Sequence, residues 1–133
     1  PTLRALLPRH SVQRWLCAAL DAPAEITVRV VGDAEGRQLN HDFRGKDYAT
    51  NVLTFDYQHA PVVVADLVLS AGVLQREAAD LGLPVADHAA HLLVHGALHA
   101  QGFDHENDEE AAAMEARETA ILRGLGLHDP YAP

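Results

Sequence analysis

The run His95-Gly-Ala-Leu-His99-Ala-Gln-Gly102-Phe-Asp-His105 constrains this chain more than any other feature. Its skeleton is His-x-x-x-His-x-x-Gly-x-x-His. Two histidines four apart on a helix share one face, with Cβ atoms about 5–6 Å apart. Both imidazoles can then reach one metal ion at about 2.0–2.1 Å. Gly102 lets the backbone take a left-handed turn that a Cβ would oppose. The chain can then fold back and deliver His105 as a third ligand. Three histidines without an evident fourth ligand leave one coordination position for water, the pattern of a catalytic rather than a structural zinc site.

The second position of the motif narrows the chemistry. A zinc protease of this spacing carries His-Glu-x-x-His, and the Glu is its general base. Here that position is Gly96. The metal can still acidify water, but the proton acceptor of peptide hydrolysis is missing, which favours a bond other than a peptide.

The 133 residues are read as one domain, residues 1–133, long enough to bury a core. The single cysteine, Cys17, excludes a disulfide framework and is read as a small buried hydrophobe. A reducing cytoplasm fits that usage. No apolar run approaches the roughly 18 residues of a membrane span, so no membrane contact is expected. The net charge of −9 argues against nucleic acid at first sight, but it is unevenly spread. Residues 1–48 hold seven Lys/Arg against six Asp/Glu; residues 49–133 hold three against thirteen. Contact with a polyanion is therefore expected from the first third, and a divalent metal would add local positive charge.

Periodicity and punctuation place the elements. Ser11 caps a helix to about Leu20, with Val12, Trp15, Leu16, Ala19 and Leu20 on one face. Glu25–Val31 alternates as a strand. Gly32-Asp33 turns the chain into a helix over about Ala34–Phe43, and a polar loop follows. Asn51–Asp56 and Val62–Leu69 are short strands. Ser70 caps a helix ending at Gly82. Pro84 precedes the histidine helix, about Val85–Gln101, and Asn107 or Asp108 caps a last helix to about Leu122. The fold class is α+β: a small mixed β-sheet packed with helices, its metal site at the end of a central helix. His91 shares the face of His95 but lies too far from His99 for one coordination shell, and is read as a pocket wall or a support for the site. Asp104 either orients a ligand histidine or caps the turn. His10, His41, His59, His88 and His128 are read as surface residues. The acidic run Glu106–Glu110 is read as a solvated face at a helix start.

A second block, Leu39-Asn-His-Asp-Phe-Arg44-Gly-Lys46-Asp-Tyr-Ala-Thr50-Asn51-Val-Leu-Thr54-Phe55, joins Ala65-Asp66-Leu-Val-Leu-Ser70 and the histidine run. Together they closely resemble the YbeY family of metal-dependent endoribonucleases, the rRNA maturation factors. The resemblance covers roughly residues 24–122. It implies one zinc ion per chain held by His95, His99 and His105, and a catalytic role for Arg44 in RNA cleavage. It also implies ribosomal RNA, the small ribosomal subunit and its assembly factors as partners. The departures are Thr54 where the family often has Ser, Ala65 for Gly, Ala100 for a larger apolar residue and Phe103 for Tyr. None falls on a ligand.

The residues read alone agree in part. Arg carries a planar fork matched to phosphate oxygens; read alone, Arg44 is more readily a surface charge paired with Asp42 or Asp47, and it is the family resemblance that turns the reading to phosphate. The leading expectation is a single-strand-directed endoribonuclease in rRNA processing and ribosome maturation. The alternatives are another zinc hydrolase of peptidase type and a non-catalytic ribosome-assembly protein with a structural metal. The general base stays open.

Overall fold

A computed structural model describes residues 7–104, 106–127 and 130. The elements in order are α1 (Arg9–Ala19), β1 (Ala24–Val31), α2 (Asp33–Arg44), β2 (Val52–Gln58), β3 (Val63–Ser70), α3 (Ala71–Leu81), α4 (Val85–Ala100) and α5 (Asp108–Gly124). The three strands form one mixed sheet in the order β1-β3-β2. β1 runs parallel to β3, from Ala24 opposite Val63 to Val31 opposite Ser70. β2 runs antiparallel to β3, with Val52 opposite Leu69 and Asp56 opposite Ala65. The α+β class expected from the sequence is the class observed.

The central strand explains its own sequence. Leu67 and Leu69 of β3 pack into the main core with α4, while Val68 joins Val31, Leu53 and Leu39 of α2 on the other face. A strand covered on both faces loses its polar alternation. The main core is completed by Trp15, Leu16 and Ala19 of α1, Leu74 of α3, Leu93 and Leu98 of α4, and Met114 and Leu122 of α5. Each such leucine contributes about 1.5–3 kcal/mol of burial.

α4 is the hub. It packs against both β2 and β3 and against α1, α3 and α5. From His88 to Ala100 every residue is buried except His91, His95 and His99. A helix enclosed on nearly all sides needs apolar residues all round, and the three exceptions form one stripe at spacing four.

Four details differ from the sequence expectations. The N-cap of α1 is Pro8, whose carbonyl takes the Ser11 N–H at 3.0 Å; the Ser11 side chain is not the cap. Ser70 stands at the N-cap of α3, but its hydroxyl makes no capping bond. Cys17 is exposed, because α1 buries the stripe of Trp15, Leu16 and Ala19 and Cys17 falls off it. His88 is buried: its Nε2 donates to Glu77 Oε1 at 2.8 Å where α3 and α4 meet, and the same oxygen accepts from Asn51 Nδ2 at 3.0 Å. Of the two caps expected for α5, Asn107 is the one observed, its Oδ1 accepting the Glu110 N–H at 2.8 Å.

Candidate active site

His95 and His99 occupy the last two turns of α4. Their Nε2 atoms stand 3.1 Å apart. Two nitrogens bound to one tetrahedral zinc at about 2.0–2.1 Å each lie about 3.3 Å from one another, so this pair suits a shared ion. The other side of His95 is fixed from behind. Its Nδ1 donates to Glu118 Oε1, and His91 Nε2 donates to Glu118 Oε2 at 3.0 Å. Glu118 is 0% exposed. A carboxylate buried that deeply needs donors on both oxygens, and here two histidines supply them. Because Nδ1 of His95 carries the donated proton, its Nε2 presents a lone pair toward His99. Carboxylate behind histidine is how metal-binding imidazoles are held in tautomer and orientation.

Gly102 follows α4 at φ 100°. The Gly102 N–H bonds to the His99 carbonyl at 3.0 Å and the Phe103 N–H to the Leu98 carbonyl at 3.1 Å. These two bonds are a Schellman ending, which needs a left-handed residue at this place. The turn directs the chain after Gly102 back along the mouth of the cleft, where Asp104 lies. His105, the third ligand expected from the sequence, lies outside the described residues. Asp104 has carboxylate oxygens grouped with those of Glu106 and Glu110 within 4.8 Å, and Glu106 is exposed.

Gly96 faces the sheet. A Cβ there would stand 2.9 Å from Leu67 Cδ2 and 3.3 Å from Thr54 Oγ1. At the position that carries the base in zinc proteases, any side chain would therefore press on Leu67 and Thr54 of the sheet.

Arg44 is the last residue of α2 and lines the same cleft, of about 580 Å³, as His91, His95, His99, Asp56 and Asp104. It is the one Lys or Arg among the described lining residues; Lys46 does not line the cleft. The two carboxylates that could have paired with Arg44 are engaged elsewhere. Asp47 receives Arg37 through both oxygens, at 2.8 and 2.9 Å, and Asp42 accepts from Gln38 at 2.8 Å. The Arg37 hydrogen bonds hold the Asp47 carboxyl below its ordinary pKa. This pair, with Asn40 Nδ2 donating to the Tyr48 carbonyl at 2.8 Å, ties down the loop after Arg44.

The sequence reading missed Glu118. Its signal was present: α5 buries Met114, Glu118, Ile121 and Leu122. A carboxylate in an apolar helical stripe is out of place unless something pairs it. Phe43, half-exposed beside Arg44 in the same cleft, was also passed over.

The family model described as endoribonuclease YbeY matches residues 8–126. The chain is 69% identical over 129 residues to the endoribonuclease YbeY of Methylibium petroleiphilum, covering 97% of this chain and 87% of that protein. It is 64% identical over 130 residues to the endoribonuclease YbeY of an Acidovorax species, covering 97% and 86%. The solution structure of a Thermotoga maritima protein shares the fold with a TM-score of 0.57 at 20% identity, covering 98% of this chain and 91% of that one.

Proposed function

Because this chain belongs to the YbeY endoribonuclease family, we propose that it hydrolyses phosphodiester bonds of single-stranded RNA in ribosomal RNA processing, at the cleft that holds His95, His99 and Arg44. One observation carries the reading: a guanidinium with no carboxylate partner among the described residues shares a cleft with two imidazoles whose Nε2 atoms converge. His95, His99 and His105 hold a single zinc ion. The described donors fit it, since His95 and His99 converge through Nε2 and the buried Glu118 backs His95, an arrangement that suits zinc. Zinc supplies a Lewis acid for a phosphoryl oxygen and acidifies water there.

The residues of the chain do the rest. Arg44 places its fork on the non-bridging phosphate oxygens and offsets the charge that grows on them as the bond to the leaving oxygen breaks. Glu118 keeps His95 in one tautomer and one orientation. Gly96 contributes packing and no proton acceptor. A peptidase reading loses support at that residue, because it carries no base and a larger side chain there would crowd Leu67 and Thr54. Asp56 and Asp104 also line the cleft and the net charge is −9. Long-range attraction to RNA is therefore weak: naked RNA is cleaved with a high KM, and a partner that presents the substrate lowers it. That partner, in this reading, is the small ribosomal subunit with its assembly factors, met in the cytoplasm. Among the described residues no helix is long and apolar enough to cross a membrane.

The test is metal content measured alongside RNA cleavage, before and after chelation. Close to one zinc per chain, with cleavage lost on chelation and restored by zinc, supports the reading. Metal-free protein that cleaves RNA at full rate contradicts it.

A further inference from the structure

We propose that Phe43 is a stacking platform for one unpaired nucleobase next to the cleaved phosphate. The inference rests on the RNA-cleaving reading above and adds how the strand is held. Phe43 is 51% exposed, yet it is not a stray surface ring. It lines the same cleft as Arg44, His95 and His99. Its centroid lies 4.3 Å from that of Phe55, with 40° between the rings. Phe55 packs in turn on the small core of Val31, Leu53 and Val68. The ring is thus backed by the sheet while much of its surface stays open to the cleft.

Leaving a phenyl ring half in water forgoes apolar burial, and a ring already braced on one side is suited to receive a flat apolar partner on the other. Phe43 and Arg44 are consecutive at the end of α2, so one turn of helix offers a π-surface beside a guanidinium. A nucleotide presents the matching pair, a flat base and an anionic phosphate. Tyr48 and Tyr57 are as exposed as Phe43 but do not line the cleft. Bases in a duplex have both faces covered by their neighbours. A single platform therefore selects unpaired RNA with little preference for which base it holds.

The experiment uses a single-stranded oligoribonucleotide whose cleaved bond has been mapped with the wild-type chain. An abasic residue then replaces the nucleotide on each side of that bond in turn. Phe43→Leu keeps an apolar contact on Phe55 and removes the π-face; Phe43→Trp keeps the face. With the wild type, one of the two abasic substrates should lose roughly 5- to 150-fold in kcat/KM, mostly through KM. Phe43→Leu should show the same loss on intact RNA and respond to that abasic residue by less than about twofold, since the lost contact cannot be lost twice. Phe43→Trp should cleave like the wild type. Wild-type kcat/KM in Phe43→Leu on naked RNA overturns the proposal, and is the result if the ring serves a protein partner instead. Losses that multiply at both neighbours also overturn it. A wild-type chain that cleaves neither intact nor abasic RNA overturns the function proposed above, and this inference with it.

Discussion

Glu118 on the last helix accepts a hydrogen bond from Nδ1 of His95 across 23 residues of sequence, and this contact sets the direction in which His95 points its other nitrogen. The carboxylate is fully buried and shared with His91. It links the core, where α5 packs on α4, to the mouth of the cleft. Removing its charge while keeping its shape isolates that link. Glu118→Gln should weaken zinc binding by about 10–100-fold, read by competition with a chromophoric chelator. Unchanged affinity would mean that the buried carboxylate serves packing alone.

Gly102 makes a separate prediction. A Cβ at this position would meet nothing closer than His59 Nδ1 at 3.9 Å, so space is available and only the backbone objects. Holding a non-glycine residue at φ 100° costs of order 1–3 kcal/mol. Gly102→Val should lower thermal stability by that amount, and it should weaken metal binding because the turn carries the chain toward His105. If the melting temperature and the metal affinity both match wild type, the turn is not under this constraint.

Gly96 is limited by space rather than by φ. Its missing Cβ lets α4 approach Leu67 and Thr54 of the sheet. Gly96→Ala should destabilise the fold by about 1–3 kcal/mol through overpacking, measured by denaturant unfolding. Gly96→Glu restores the protease motif in sequence, but it should give a poorly folded chain and no peptide hydrolysis. A well-folded Gly96→Glu variant that cleaves peptides would show that the fold tolerates a base there.

The elements and the histidine stripe were legible because they are local. Helix periodicity located α4, the spacing of His95 and His99 put them on one face, and Gly102 marked the turn. What was not legible depended on partners far along the chain. His88 has the spacing of a surface residue, yet Glu77 from the neighbouring helix takes it into the interior. Cys17 looked like a core residue by type and was excluded by one step of helical phase. Glu118 sat in an apolar stripe, but nothing local says which histidine it meets. Arg44 shows the same limit: its chain neighbours Asp42 and Asp47 suggested a surface pair. Only the fold shows that Gln38 and Arg37 occupy those carboxylates.

Arg44 carries the central claim, because it is the one Lys or Arg among the described lining residues of the cleft that holds the two histidines. The decisive measurement is the rate of RNA cleavage by Arg44→Glu, with zinc content and circular dichroism recorded on the same preparation. An exposed charge at the end of a helix contributes little to stability, so fold and metal content should match wild type. Cleavage should be abolished, and Arg44→Lys should recover only part of it, since a point charge does not reproduce a two-pronged grip on phosphate. A correctly folded, zinc-loaded Arg44→Glu chain that cleaves RNA at the wild-type rate would contradict the account.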